Sequence, residues 1–224
     1  MWTDHGAFFE HNAPQGTKAW KEARIGVCTG SVSGALAGNS RFKNPEETGK
    51  IIANVEEEKF TEEALERMNY GHKYEPEARK WYENAYKCKV LERNLCRSKE
   101  DFRIGASVDG DIINKNGIIE IKCPQKMYRP LISYMDMKAS GWIPPSNYYD
   151  HIWPTHLDQC FHGMYVLKRD FCDYIVYCPE EGKIFTQRIN FDLDYWNNHY
   201  AKLSTNYDLY VKPYLLPGYP ISIF

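Results

Sequence analysis

The sequence lacks three features that would each point to a particular class of protein. Its 7 cysteines include no C-x-x-C pair, so a disulfide framework is not indicated and we expect reduced thiols. No apolar run approaches the length of a membrane span, and the N-terminus has no signal-peptide pattern. The net charge of −2 gives no overall basic surface typical of nucleic-acid binders. These absences favour a cytoplasmic protein without a membrane partner, or a nuclear or viral-factory one if the source is a eukaryotic virus.

Cys160, Cys172 and Cys178 are the cysteines most readily compared with the ligands of an iron–sulfur cluster. Their spacings are wider than those such clusters use. Scattered cysteines are often buried in protein cores, and we favour that interpretation over a cluster.

With 224 residues and 43% apolar content, the chain can bury a substantial core as one domain. Residues 1–17 are expected to be a loosely ordered N-terminal extension, followed by a single domain over 18–224. Periodicity and turn signals predict helices at about 18–24, 31–36, 45–59, 61–86, 127–139, 154–168 and 192–211, and strands at about 89–97, 103–109, 117–123, 172–178 and 184–190. This order is typical of an α/β fold with a mixed central β-sheet flanked by helices.

The segment from Gly105 to Pro124 carries the clearest chemical pattern, with Asp109 eleven residues before Glu120 and Lys122 two residues later. The Asn116-Gly117 pair inside it predicts a tight hairpin turn. Side chains alternate along a strand, so Glu120 and Lys122 share one face while the isoleucines between and before them face a core. Such carboxylates can hold a divalent cation beside a lysine. A solvated Glu–Lys pair on an edge strand is the alternative interpretation.

Three further motifs lie outside this segment. Glu75 lies next to the apolar stripe of the 61–86 helix, although it could equally be an i,i+4 partner of Arg79. Arg24 precedes a small-residue turn in which Ser31 opens a helix, and a guanidinium, a hydroxyl and a helix N-terminus together can form a phosphate pocket. Gln159 lies in the 154–168 helix and is otherwise a surface amide.

Taken in order, the motifs are W-x3-R-x-G, G-x2-Y-E, S-x-D-G, E-I-K-C-P and a glutamine helix. This set resembles the lambda-type exonucleases, the YqaJ-like viral recombinase family within the PD-(D/E)xK nuclease superfamily, over about residues 18–178. The resemblance implies a restriction-endonuclease-like core. It also implies digestion of one strand of linear duplex DNA from its 5′ end, leaving 3′ overhangs for recombination or end repair.

By this resemblance Asp109, Glu120, Glu75 and the Ile121 carbonyl are expected to hold one or two Mg²⁺ ions, with Mn²⁺ as an alternative. Lys122 is expected to orient or deprotonate the attacking water, with Gln159 nearby. The residues expected to hold the 5′ phosphate are Arg24, Ser31 and Ser107. The implied partners are double-stranded DNA ends and a single-strand annealing protein, and a homotrimeric ring is the candidate assembly.

The sequence departs from the family pattern at three places. Val108 stands where proline often precedes the catalytic aspartate, and Phe161 stands where a second glutamine would be. The loop over 140–153 is longer and richer in proline and tyrosine. His72, three residues before Glu75, is a further candidate metal ligand, with a surface position as the alternative.

Two other functions remain open from the sequence. The same carboxylate–lysine set serves endonucleases of the superfamily, so an endonuclease is the first alternative. A catalytically silent DNA-end-binding recombination scaffold is the second.

Overall fold

The computed structural model describes residues 1–215, so residues 216–224 at the end of the expected domain lie outside the described residues. Seven helices and ten strands alternate along the described chain. The helices are α1 (Lys18–Ala23), α2 (Gly30–Leu36), α3 (Pro45–Ile52), α4 (Glu62–Tyr86), α5 (Arg129–Ala139), α6 (Pro154–Leu167) and α7 (Leu193–Tyr210). The strands are β1 (Trp2–Asp4), β2 (Phe8–His11), β3 (Cys28–Thr29), β4 (Val90–Leu91), β5 (Cys96–Ser98), β6 (Ile104–Ala106), β7 (Gly110–Ile112), β8 (Gly117–Lys122), β9 (Phe171–Cys178) and β10 (Lys183–Asn190).

The strands form two mixed five-stranded sheets, where a single central sheet was expected. The first has the order β1-β2-β5-β6-β3 and the second β10-β9-β8-β7-β4. The strand predicted at 89–97 divides into β4 and β5, which pair in different sheets, so this segment carries the chain from one sheet to the other. The α/β class with mixed sheets flanked by helices is confirmed.

The N-terminal segment is ordered, so the expectation of a loose extension over residues 1–17 is wrong. Strands β1 and β2 pair with each other, and β2 pairs antiparallel with β5, with Phe8 opposite Ser98. Phe8 is only 2% exposed. Burial of this ring stabilises the hairpin against the first sheet, because removing apolar surface from water is favourable.

Strand β8 occupies the middle of the second sheet, antiparallel to β7 and parallel to β9. Ile119 and Ile121 pack with Ala78 and Tyr82 of α4 on one face. Ile118 packs on the other face with the core that includes residues of α6. The predicted alternation is therefore confirmed, and the interior position of β8 rules out a solvated Glu–Lys pair on an edge strand.

The turn before β8 differs from the prediction. Four residues, 113–116, connect β7 to β8, and the left-handed residue is Asn114 with φ 63°. Gly117 lies in the strand instead of the turn, where a Cβ atom would overlap the ring of Phe171 on the adjacent strand. The Asn-Gly signal was misread because the glycine is required for close packing and not for a positive φ.

Gly117→Ala is expected to destabilise the fold by about 1–3 kcal/mol, because the added methyl overlaps the partly buried ring of Phe171. Gly71→Ala is the matched control: nothing lies within 4 Å of its Cβ position on α4, so we expect stabilisation of up to about 1 kcal/mol. Urea denaturation of both variants measures the difference. Equal effects would show that Phe171 does not constrain this position.

Two helices that flank β8 and β9 define the site. Helix α4 covers one face as an uninterrupted helix from Thr61, whose side chain caps it, and Pro76 lies inside it. Helix α6 covers the other face. Helix α3 ends at Ile52 instead of about 59, because Asn54 adopts φ 60°, the left-handed conformation that terminates helices. Within residues 1–215, no helix is long and apolar enough to cross a membrane.

Candidate active site

A cleft of about 920 Å³ opens where β8 ends between α4 and α6. It brings together most of the predicted site residues from α4, β8, α6 and the loop before β7. Lining side chains and backbone include Glu75, Asp109, Glu120, Ile121, Lys122 and Gln159. The parallel pairing of β8 with β9 and the packing of both helices produce this convergence of residues that lie apart in the sequence.

Asp109 lies just before β7 and is fixed against β8. Its Oδ2 atom accepts a hydrogen bond of 2.7 Å from the backbone N–H of Ile121. A strand residue directs its N–H and its C=O to the same side, so the Ile121 carbonyl faces the same edge as Asp109. Burial raises the pKa of Asp109, although the charge of Lys122 opposes this.

Glu120, Lys122 and Gln159 form a connected group. Lys122 Nζ lies 2.7 Å from Oε1 of Glu120 and donates a hydrogen bond of 2.9 Å to Oε1 of Gln159. Glu120 is 3% exposed, and burial, with the charge of Asp109, raises its pKa to about 8. Burial acts to lower the pKa of Lys122, but Glu120 and Asp109 outweigh it and the pKa is raised. The lysine is therefore an ammonium at neutral pH.

Glu75 approaches the same site from α4. Burial and the charge of Asp109 raise its pKa to about 7. Its Oε1 atom accepts a hydrogen bond of 2.6 Å from Arg79. Glu75 therefore pairs with Arg79 at i,i+4 and also lines the cleft, so the ion-pair and active-site interpretations of Glu75 are compatible.

Arg79 is the residue whose importance the sequence did not reveal. It is 8% exposed, and its Nε donates 2.8 Å to the backbone carbonyl of Asp109. The same guanidinium also bonds to Glu75 and Glu92. One buried cation therefore ties α4 to the loop that carries Asp109, and the i,i+4 spacing was the available signal.

Arg79→Ala is expected to destabilise the protein by about 3 kcal/mol, because the change leaves a partly buried carboxylate without its cation. Lys80→Ala, the exposed neighbour on α4, should change stability by less than about 0.5 kcal/mol. Chemical denaturation measures both. A similar small effect for the two variants would contradict a structural role of Arg79.

The carboxylate oxygens of the cleft and the Ile121 carbonyl oxygen are suitable ligands for a hard cation. Among residues 1–215, no group of three His, Cys, Asp or Glu side chains already has the arrangement of a metal site. Glu120 Oε1 is nevertheless buried, with the Lys122 ammonium 2.7 Å away as its ion-pair partner. Carboxylates that raise one another's pKa gain from a positive charge between them. Carboxylate and carbonyl oxygens are the ligands that Mg²⁺ selects.

The predicted phosphate-binding residues Arg24, Ser31 and Ser107 are not among the residues that line the cleft. Arg24 donates 2.9 Å to Thr29 Oγ1, which lies 3.3 Å from Ser31 Oγ. Ser31 lines a second cavity of about 210 Å³, and Phe42 lines both this cavity and the cleft. Ser107 follows β6, the parallel neighbour of β3, and its buried hydroxyl has no hydrogen-bond partner among residues 1–215.

The departures from the family pattern have structural explanations. Phe161 is 1% exposed and stacks on Tyr195 at 4.1 Å between ring centroids, on the core side of α6. A glutamine there would not face the cleft. In the 140–153 loop, Tyr148 and His151 pack by stacking with Tyr134 of α5, whereas Trp153 lines the cleft. Cys160, Cys172 and Cys178 are buried free thiols, as expected.

His72 is exposed and lines the cleft, which leaves its metal-binding role a prediction. The cleft has further lining residues that the sequence analysis did not single out, among them Tyr128 and His156. His156 lies one turn before Gln159 on α6.

The sequence matches the YqaJ-like viral recombinase domain over residues 19–168, and a comparison with curated proteins finds no match. The fold is similar to an alkaline exonuclease, LHK-Exo, from Laribacter hongkongensis (TM-score 0.66, 21% identity, covering 88% of this chain and 94% of that chain). The structure of LHK-Exo with dAMP has a TM-score of 0.62 and 22% identity, covering 88% of this chain and 92% of that chain. A phage related exonuclease from Haemophilus somnus 129PT has a TM-score of 0.52 and 14% identity, covering 82% of this chain and 93% of that chain.

The family match covers more than half of the chain and includes the whole carboxylate–lysine set of the cleft. The structural likenesses to LHK-Exo show a shared fold over 88% of this chain. The chain therefore belongs to the YqaJ-like viral recombinase domain family.

Proposed function

We propose that the protein is a Mg²⁺-dependent 5′→3′ exonuclease that digests one strand of linear duplex DNA and leaves 3′ overhangs for recombination or end repair. The observation that carries this proposal is the convergence of Asp109, Glu120 and Lys122 on one cleft beside a second cavity. Both named exonucleases among the structural neighbours support it.

Each residue has a distinct part in this proposal. One or two Mg²⁺ ions held by Asp109, Glu120, Glu75 and the Ile121 carbonyl would activate water and neutralise charge on the phosphate oxygens. Lys122, as an ammonium, orients the attacking water and faces the developing negative charge. Gln159 holds Lys122 in place through its 2.9 Å hydrogen bond.

The direction of digestion depends on the neighbouring pocket. Arg24, Ser31 and Ser107 are proposed to bind the 5′ phosphate of a DNA end, with the guanidinium as the charged partner. Burial lowers the pKa of Arg24, and its one hydrogen bond to a side chain goes to a neutral hydroxyl. The guanidinium carries no carboxylate partner within residues 1–215, so its charge is available to an anionic ligand.

Arg24→Ala is expected to remove most of the preference for 5′-phosphorylated over 5′-hydroxyl duplex, by about 10-fold or more in kcat/KM, because a charge-assisted hydrogen bond is lost. Activity on the 5′-hydroxyl substrate should change little. Initial rates on the two duplexes measure this ratio. An unchanged ratio would contradict the assignment of the pocket.

Digestion of linear and closed circular DNA separates the alternatives. With Mg²⁺ we expect mononucleotides from linear duplex, no cleavage of closed circles, and no reaction in EDTA. Nicked or linearised circles would favour the endonuclease. Binding to DNA ends without turnover under any divalent metal would favour the scaffold.

The assembly and its setting are also proposals. A homotrimeric ring around the duplex would keep the cleft in contact with one DNA strand. Light scattering of the purified protein measures the number of subunits. A single-strand annealing protein is the proposed partner for the 3′ overhang, and a pull-down with DNA-free protein tests it. The proposed compartment is the cytoplasm, or the nucleus or viral factory of a eukaryotic virus.

A further inference from the structure

Three side chains at the wall of the cleft form a hydrogen-bonded relay that has no part in the metal-binding, water-orienting or phosphate-binding roles proposed above. Tyr174 Oη lies 2.9 Å from Tyr128 Oη and 2.8 Å from His156 Nδ1. Tyr174 is fully buried, whereas Tyr128 and His156 both line the cleft. We call this set the tyrosine–histidine relay. Its buried middle member connects two ends that reach the same substrate space.

The relay lies directly beside the carboxylate–lysine set. Tyr174 stands opposite Glu120 in the parallel pairing of β8 and β9, so both side chains lie on the same face of the sheet. His156 lies three residues before Gln159 on α6, and such residues are neighbours on a helix surface. A group bound at Lys122 therefore lies within reach of His156.

The relay has one proton more than its own hydrogen bonds require. Burial, followed by the charge of Lys122, holds the pKa of His156 well below its usual value, so the imidazole is neutral. Two phenols and a neutral imidazole carry one proton each. Two of these three protons make the internal hydrogen bonds, and the third remains at one end of the relay.

The basicity of the groups decides which end keeps that proton. An imidazole nitrogen is a much better acceptor than a phenol oxygen, and a phenol is the better donor. Tyr174 therefore donates to Nδ1 of His156 and accepts from Tyr128. The proton of His156 then lies on Nε2, which makes no hydrogen bond with residues 1–215 and is not among their buried unpaired atoms.

We propose that His156 is a further catalytic residue, whose neutral Nε2–H donates a hydrogen bond to a phosphate oxygen of the DNA strand in the cleft. Tyr174 and Tyr128 are positioning residues that fix its tautomer. This inference rests on the proposed nuclease function, because it needs a phosphodiester at Lys122. A neutral donor suits this place, since Lys122 is already engaged by Glu120 and Gln159.

The tautomer is tested without any reaction. Nitrogen-15 NMR of histidine-labelled protein should show His156 protonated on Nε2 alone and neutral from about pH 5.5 to pH 8.5. Tyr174→Phe should convert it to a mixture of tautomers. Protonation on Nδ1, titration near a pKa of about 6.5, or an unchanged spectrum in Tyr174→Phe would overturn the relay.

The catalytic role is tested by kinetics on 5′-phosphorylated duplex. His156→Phe should lower kcat by about 10- to 100-fold, with KM within about threefold. His156→Gln returns an amide N–H near the Nε2 position and should recover about 10-fold of the lost kcat. Equal kcat for His156→Phe and the wild type, or equal loss in both variants, would overturn the role.

A matched control separates this role from general damage. Tyr207→Phe removes another fully buried tyrosine hydroxyl, which donates 2.6 Å to the Gly26 carbonyl away from the cleft. Its kcat should stay within about twofold of wild type. Should the wild type release no nucleotide at all, the proposed function fails, and the NMR tautomer still decides whether the relay exists.

Discussion

Lys122→Met is expected to reduce kcat on linear duplex DNA by on the order of 10³-fold, while the protein still binds DNA ends. The ammonium lies between Glu120 and Gln159, and the raised pKa keeps it charged at neutral pH. Methionine fills a similar volume but cannot orient water or face negative charge. Single-turnover measurement of nucleotide release gives the rate of the chemical step, and an electrophoretic shift gives binding.

The control is Lys183→Ala, which removes an exposed lysine from β10 of the same sheet. We expect its rate to stay within about twofold of wild type. A Lys122→Met enzyme with more than about a tenth of the wild-type rate would contradict a direct part for the ammonium in the chemistry.

Asp109→Asn is expected to abolish metal-dependent hydrolysis, by on the order of 10³-fold, and to leave the metal-free protein at least as stable as wild type. The asparagine carbonyl can still accept the Ile121 N–H bond that Asp109 accepts. Removing the charge also relieves repulsion toward Glu120 and Glu75. Loss of activity would therefore not come from loss of fold.

The pH dependence of the unfolding free energy provides a second test of the Asp109→Asn variant. Glu120 and Glu75 have folded-state pKa values raised to about 8 and about 7, so the folded state binds more protons than the unfolded state. In EDTA, the wild-type unfolding free energy should fall as pH rises from about 4.5 to about 8. Asp109→Asn should flatten this fall, because it removes a charge that raises both pKa values.

At pH 8, Mg²⁺ should raise the unfolding free energy of the wild type and so offset this fall, because a ligand that binds only the folded state stabilises it. Thermal unfolding with and without Mg²⁺ measures this shift, which Asp109→Asn should lack. An equal Mg²⁺ shift in both proteins would show that the cation binds elsewhere.

The sequence was most informative where one local rule acts alone. Alternation along 117–123 placed Glu120 and Lys122 on one face and Ile121 in the core, which the structure confirms. Helical periodicity located α4 and α6 to within two residues.

Elements that depend on distant partners were missed. The N-terminal hairpin forms because β2 pairs with β5, and no periodicity in residues 1–17 signals a partner more than eighty residues away. Gly117 was assigned to a turn because the ring of Phe171, which explains it, comes from another strand. Arg79 and the tyrosine–histidine relay likewise consist of contacts between elements far apart in the sequence.

The most direct test of the proposed activity uses one linear duplex with different labels at the 5′ and 3′ ends of the same strand. With Mg²⁺ the wild type should release the 5′ label first, as a mononucleotide, while the 3′ label stays on a shortening strand. Asp109→Asn and EDTA should prevent release. Earlier release of the 3′ label, internal cleavage before either label is freed, or release in EDTA would contradict a metal-dependent 5′→3′ exonuclease.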